Sequence, residues 1–191
     1  LQGQDMLPAI VFIFSRAGCD GALFQCLRSR KELTTPEERA EIEQIIDDGV
    51  EGIPEEDLQV LNFRQVRTAW MRGFAAHHAG LLPAFKHIVE QLFVRGLVKV
   101  VFATETLALG INMPARTVVL EKMVKFNGEA HVDLTPGQYT QLTGRAGRRG
   151  IDHIGNAVVQ WAPAMDPHQV AGLASTRTYP LISQFQPGYN M

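Results

Sequence analysis

Residues 8–14 read PAIVFIF, an apolar run with no polar position in it. A strand with one face in water alternates apolar and polar residues, so an unbroken run suits a strand covered on both faces, the situation of a parallel sheet. A helical stripe follows at once. Cys19, Ala22, Leu23, Cys26 and Leu27 recur at the i, i+3, i+4, i+7, i+8 spacing of one helix face, and Arg28, Arg30 and Lys31 close the segment. A buried strand that hands over to an amphipathic helix is a βα unit. A chain that repeats it is directed to an α/β fold: a parallel sheet with helices on both faces and right-handed crossovers.

The repeat continues downstream. Residues 74–77 suit a brief strand. Behind Pro83, Phe85, Ile88, Val89, Leu92 and Phe93 share a helix face, and Gly96 ends that helix. Residues 98–103 (VKVVFA) and 117–120 suit strands, with a short helix over 105–109, ended by Gly110, between them. Thr135, Pro136, Gly137 and Gln138 have the form of a capping box with proline at the first helical position, so a helix is expected to begin there and run into Arg145. Residues 156–161 read as a last strand and 166–173 as a last short helix.

Residues 34–72 read as two further helices. Thr35 is placed to cap the first, Pro36, Glu37 and Glu38 suit its first turn, and Asp48, Gly49, Gly52, Ile53 and Pro54 interrupt it before a second helix from Glu55 towards Met71. This stretch is expected to be a helical acidic insertion over about 32–72 in a domain spanning 1–163. In sheets of this kind ligands meet the C-terminal ends of the strands.

With 46% hydrophobic and 20% charged residues among 191, the chain has the apolar material for one core and lies far from the composition of disordered chains. No apolar run approaches a bilayer span, and residues 1–3 (LQG) are no basic lead to one, so a soluble cytoplasmic protein without membrane contact is expected. The Leu start and the lack of a stop signal before Met191 point to an excised, monomeric piece. Cys19 and Cys26, if helical, lie roughly 10 Å apart, too far for a disulfide, and are expected to be reduced core residues. Between Glu32 and Asp57 stand eleven acidic residues and one basic residue, Arg39, which leaves 17 Lys and Arg against 9 Asp and Glu elsewhere. The acidic run is expected to be a solvated helix face, and the basic remainder suits contact with phosphates.

Residues 141–150 (QLTGRAGRRG) carry the densest chemistry. Arg145 and Arg148 stand three apart, so both guanidinium groups project from one side if the helix continues through them. A guanidinium is charged at any working pH and offers a planar donor fork to phosphate oxygens, and one supplied from a neighbouring domain stabilises charge on a transferring phosphoryl group. From these residues alone, a surface cluster making ion pairs reads equally well. At Thr104 a strand hands over to a helix whose first N–H groups, with the hydroxyls of Thr104 and Thr106, suit a nucleic-acid phosphate. Gly110 permits close backbone approach, and Asn112 suits a sugar contact or a link to a nucleotide. The alternative is an ordinary capping threonine and terminating glycine. Ser15 and Arg16 end the first strand, and residues 77–81 (HHAGL) end the second. The adjacent histidines of a strand point to opposite faces and no third ligand follows, so no metal site is expected.

The Q-x-x-G-R-A-G-R pattern at 141–148 resembles motif VI of superfamily 2 helicases, and its leading Gln is similar to the DExH helicases of the superkiller (Ski-like) RNA-processing group. Residues 102–114 (FATETLALGINMP) resemble motif V of that group, residues 12–16 (FIFSR) its motif IV, and 77–81 its HHAGL segment. The resemblance covers about 9–163 and continues weakly to residues 180–191, which look like a connection to a winged-helix domain. It implies a RecA-like fold of P-loop NTPase type, the second motor domain of an ATP-dependent helicase. It implies that Gln141, Gly110 and Asn112 face the nucleotide and that Arg145 and Arg148 are arginine fingers reaching ATP. Ser15, Arg16, His78, Gly80, Thr104 and Thr106 would contact the strand, and Arg149 is assigned no role. The implied partners are a single strand of RNA, or of DNA as in repair-type helicases, a first RecA-like domain, and a winged-helix domain beyond a linker at 164–191.

No G-x-x-x-x-G-K-[ST] loop occurs in the sequence, nor an Asp-Glu pair after an apolar strand in the D-E-x-H sense. ATP and Mg2+ are therefore expected to be held mainly by the first RecA-like domain, and this chain alone is expected not to hydrolyse ATP. Two other classes compete. One is a stand-alone nucleic-acid-binding domain that kept the motor fold without the motor. The other is a dinucleotide-binding enzyme, disfavoured because Ser15, Arg16, Ala17 and Gly18 stand where a G-x-G-x-x-G turn belongs.

Overall fold

The computed structural model describes residues 1–109, 112–163 and 165–176. Gly110, with residue 111, and the tail at 177–191 lie outside the described residues. After a 3-10 turn at Gln2–Gln4, the chain forms β1 (Ala9–Phe12), α1 (Arg16–Arg28), α2 (Pro36–Val50), α3 (Glu55–Val60), α4 (Phe63–Met71), β2 (Phe74–His77) and α5 (Pro83–Val94). Then follow β3 (Val100–Ala103), a 3-10 turn at Glu105–Leu109, β4 (Thr117–Leu120), β5 (Val124–Phe126), β6 (His131–Asp133), α6 (Pro136–Thr143), β7 (Asn156–Val159) and α7 (Pro167–Ser175).

Strands β2, β3, β1, β4 and β7 lie in that order in one sheet, every pairing parallel. Alternation along the strands explains the two helical layers. Ile10, Phe12, Val101, Ala103, Val118 and Leu120 pack with Ile42, Ile45 and Ile46 of α2, Ile88, Val89 and Leu92 of α5, and Tyr139 and Leu142 of α6. Phe74, Ala76, Val100 and Phe102 pack in a second cluster with Cys19 and Leu23 of α1 and Ala69 of α4. Strands β2 and β3 are buried at every position, which is why their segments carry so little alternation. This is the parallel sheet with helices on both faces that the apolar runs predict, and it agrees with the RecA-like fold that the motif resemblance implies.

The order of the strands reverses at β1, with β2 and β3 on one side and β4 and β7 on the other. Such a reversal opens a crevice at the C-terminal ends of the strands.

The acidic stretch forms three helices rather than two. Helix α2 continues through Asp48 and Gly49, and Asn62, with φ 54°, divides α3 from α4. Thr35 and Glu38 form a capping box at the start of α2, a feature that contributes about 1 kcal/mol. The charges are not merely solvated: Glu43 pairs with Arg67 at 2.5 Å, Glu41 with Arg95 at 3.3 Å and Glu38 with Lys99 at 2.6 Å. Such pairs contribute up to about 1 kcal/mol each, whereas a buried isoleucine contributes roughly 1.5–3 kcal/mol. Ile42, Ile45 and Ile46 are buried, so apolar contact with α5 decides where α2 lies. Helix α4 adds Trp70, whose ring meets Phe85 edge-on at 5.4 Å.

Both cysteines are free thiols; burial pushes Cys19 up to about 12, and Cys26 is half-buried. No helix among the described residues is long and apolar enough to cross a membrane.

Candidate functional site

Three of the expected segments meet where β1, β2 and β3 end. Ser15 caps α1, its Oγ accepting the Gly18 N–H at 3.0 Å, and Arg16 opens the helix; both are exposed. A cleft of about 200 Å3 is lined by Ser15, Arg16, Ala79, Thr104 and Thr106, and also by Lys125 and Phe126 of β5. The hydroxyls of Thr104 and Thr106 lie 2.9 Å apart. Lys125 pairs with Glu105 at 2.8 Å, and the Phe126 ring is 57% exposed. Hydroxyls and cations suit a phosphodiester backbone, and an exposed ring beside them suits a base.

The segment after β3 departs from expectation. Glu105–Leu109 is a five-residue 3-10 turn, and the Thr104 N–H is already donated to the His77 carbonyl at 3.3 Å. The Thr104 N–H is thus already taken, and the two threonine hydroxyls stand beside the start of this turn.

His78 is buried, and both ring nitrogens are engaged. Nδ1 accepts the Gly80 N–H at 3.2 Å, which assigns the ring proton to Nε2, 2.9 Å from Asp20 Oδ1. The side chain thus ties the turn after β2 to α1, while Gly80 stays exposed. A Cβ on Gly80 would lie 3.1 Å from His78 Nδ1 and 3.3 Å from Arg16 Cδ, which shows how closely this turn approaches the start of α1. His77 is buried too, with Nε2 2.9 Å from Glu90, and burial lowers its pKa. No group of three or more His, Cys, Asp or Glu among the described residues is arranged to hold a metal.

The arginine loop lies elsewhere. Thr135 and Gln138 form the expected capping box, but α6 ends at Thr143 with Gly144 as its cap, so Arg145 and Arg148 do not share a helix face. Glycine chemistry breaks the helix: Gly147 adopts φ 87°, a conformation that side chains resist. Its N–H donates to Ala115 at 2.7 Å, and the Ala115 N–H donates to the Arg145 carbonyl at 2.9 Å. Gly155 passes so close on the other side that a Cβ there would stand 2.5 Å from the Ala146 carbonyl carbon. Ala115 precedes β4, so this loop flanks the N-terminal end of that strand, away from the strand ends where Ser15, Thr104 and Gly80 gather. Arg145 and Arg148 therefore stand in a loop apart from the C-terminal strand ends, where ligands are expected.

Arg145 is half-buried and donates from Nη2 to the Ala108 carbonyl at 2.6 Å, which joins the loop to the turn after β3. Arg148 donates from Nε and Nη2 to the two oxygens of Asp152 at 2.8 Å each, and its backbone N–H adds a bond of 2.9 Å. The Asp152 side chain is 3% exposed, and these bonds from Arg148 hold its carboxyl down at about 2. Gln141, Asn112 and Arg149 are exposed.

Sequence reasoning missed Lys125, Phe126, Asp20 and Asp152. The hairpin of β5 and β6 had a signal in the Asn127–Gly128 pair, and Asn127 Oδ1 accepts from Glu129 and Ala130 at 2.9 Å each. Asp152 stands four residues after Arg148, a spacing open to inspection. Asp20 is 58 residues from His78, and nothing local joins them.

Residues 55–150 match the family described as helicase conserved C-terminal domain. The whole chain is 65% identical over 191 residues to the Mycobacterium tuberculosis protein named "Probable helicase HelY" and covers 21% of it. It is 44% identical over 200 residues to the "DExH-box ATP-dependent RNA helicase DExH15 chloroplastic" of Arabidopsis thaliana, 16% of which it covers. Over 159 residues, 83% of the chain, it is 44% identical to the human "Superkiller complex protein 2", covering 13% of that protein. The chain thus spans about a fifth or less of the length of these relatives. With its RecA-like sheet and its ordered motifs, the chain belongs to the helicase conserved C-terminal domain family, as the second RecA-like domain of the Ski-like DExH group.

Proposed function

We propose that this chain is the C-terminal motor domain of an ATP-dependent RNA helicase, holding the strand at one end of its sheet and completing an ATP site with Arg145 and Arg148 near the other. The observation that carries this reading is the Arg145 to Ala108 bond, because it ties the arginine loop to the turn that bears Thr104 and Thr106. This bond is one route by which a change at either place reaches the other. The printed names of the relatives, ATP-dependent RNA helicase among them, support the substrate class.

Ser15, Arg16, Gly80, Thr104 and Thr106 are assigned to backbone phosphates, with Lys125 adding charge, and Phe126 to a base. Contacts of this kind give weak sequence preference and strong salt dependence. His78 supports the turn rather than touching the strand. Gln141 and Asn112, both exposed, are assigned to the nucleotide, as is Gly110. A first RecA-like domain supplies the phosphate grip and the Mg2+ site, and ATP bound there supplies the energy of domain closure. Residues 1–163 form the motor domain, with the acidic helices at about 32–72 as its insertion, and 164–191 lead to a winged-helix domain. The free cysteines suit the cytoplasm.

The test is ATP hydrolysis and unwinding by the longer polypeptide that carries this chain, with RNA or DNA as the tracking strand. Stimulation of hydrolysis and unwinding on RNA is expected. Stimulation by DNA alone moves the assignment to a repair-type helicase, and strand binding without hydrolysis moves it to a stand-alone binding domain.

A further inference from the structure

Asp152 is unusual in its surroundings. Ile151 and Ile154 beside it are 68% and 72% exposed, yet its own side chain is 3% exposed and both oxygens are engaged by Arg148. Arg116 stands nearby, its Nε 3.8 Å from Asp152 Oδ1 and its Nη1 2.6 Å from Asp5. A guanidinium has two donor edges. The side edge, Nε with Nη2, faces Asp152; the end edge, Nη1 with the second N–H of Nη2, has no partner among the described residues. A planar cation gripped on one edge by a buried carboxylate cannot rotate freely, and its remaining fork matches a phosphate.

We propose that Asp152 is the positioning residue for Arg148, holding the side edge of its guanidinium so that the end edge meets the triphosphate already oriented. The inference rests on the finger role given to Arg148 above. Asp152 touches no reacting group itself. It acts through Arg148, and the third bond, from the Arg148 backbone, fixes the root of the side chain as well as its head.

The experiment compares wild type, Arg148→Ala, Asp152→Asn, their double variant, Asp152→Glu and Arg116→Met in the longer polypeptide at saturating RNA strand. The readouts are kcat and KM for ATP, with thermal midpoints as folding controls. Asp152→Asn is expected to lower kcat by about tenfold to a hundredfold, the usual result of a displaced catalytic group, with KM changed by less than about threefold. The double variant should be no slower than Arg148→Ala alone, since both act at one guanidinium. Arg116→Met removes the other cation near Asp152, so it lowers the thermal midpoint while kcat stays within about twofold. Asp152→Glu keeps a carboxylate for folding but shifts it by a methylene, and its kcat should still fall.

Should Arg148→Ala be slow while Asp152→Asn and Asp152→Glu keep wild-type kcat, the positioning role is wrong and the finger stands. An unchanged Arg148→Ala removes the finger itself. Losses that add in full in the double variant, or an Arg116→Met loss equal to that of Asp152→Asn, mean that Asp152 serves only the loop's stability and overturn the proposal.

Discussion

The guanidinium of Arg145 donates to the Ala108 carbonyl over 2.6 Å, a bond between residues 37 apart in the chain. It joins two regions that lie towards different ends of the parallel sheet: the loop flanking the start of β4 and the turn leaving β3. A contact so placed suits coupling between an ATP site and a strand site. In the longer polypeptide, Arg145→Ala should lower the ratio of strand-stimulated to basal hydrolysis by roughly 5- to 150-fold, the usual span of coupling between two sites. Hydrolysis rates with and without RNA measure it.

The turn at 78–80 depends on a relay from the partly exposed Asp20 through the buried His78 to the Gly80 N–H. Asp20→Ala leaves the Nε2 donor without its acceptor at a cost of about 1–3 kcal/mol. Strand affinity should drop, with the slope of log affinity against log salt unchanged, because no phosphate contact has been removed. Arg16→Ala, by contrast, should reduce that slope by about 1. Salt titrations of strand binding distinguish the two.

Gly155 has no room for a side chain, since a Cβ would meet backbone atoms of Ala146 and Gly147 at 2.5 Å. Gly155→Ala must push the arginine loop away from β7. A loss of at least about 1–3 kcal/mol is expected, seen as a thermal midpoint lower by several degrees.

Asp152 makes an acid-sensitive contribution to stability. Its carboxyl lies at about 2 in the fold against an ordinary 3.8, so the unfolded chain binds the proton more tightly. The contribution, on the order of 2 kcal/mol, is complete above about pH 4 and is lost as pH falls towards about 2. The stability gap between wild type and Asp152→Asn, followed by denaturant unfolding, should therefore narrow across that window and stay flat above it.

Much of this was legible in the residues. The run at 8–14 named a buried parallel strand because no solvent face had to be encoded, residues 98–103 read as a strand, and Thr135 with Gln138 announced the start of α6. The end of α6 was not legible. The three-residue spacing of the arginines invited a helix, but Gly144 and Gly147, on either side of the Arg145–Ala146 pair, allowed a loop instead, and only the pairing with Ala115 shows which form wins. The acidic stretch likewise looked solvated because charge dominates its composition, while three isoleucines in that same stretch decide its packing. The place of the arginine loop and the partners of His78 arise from contacts between distant segments, which periodicity does not record.

If Arg148 completes an ATP site across a domain boundary, Arg148→Ala in the longer polypeptide must disable hydrolysis. RNA-stimulated kcat should fall on the order of a thousandfold, with strand affinity in the absence of nucleotide unchanged. Unchanged hydrolysis in a folded Arg148→Ala protein would contradict it.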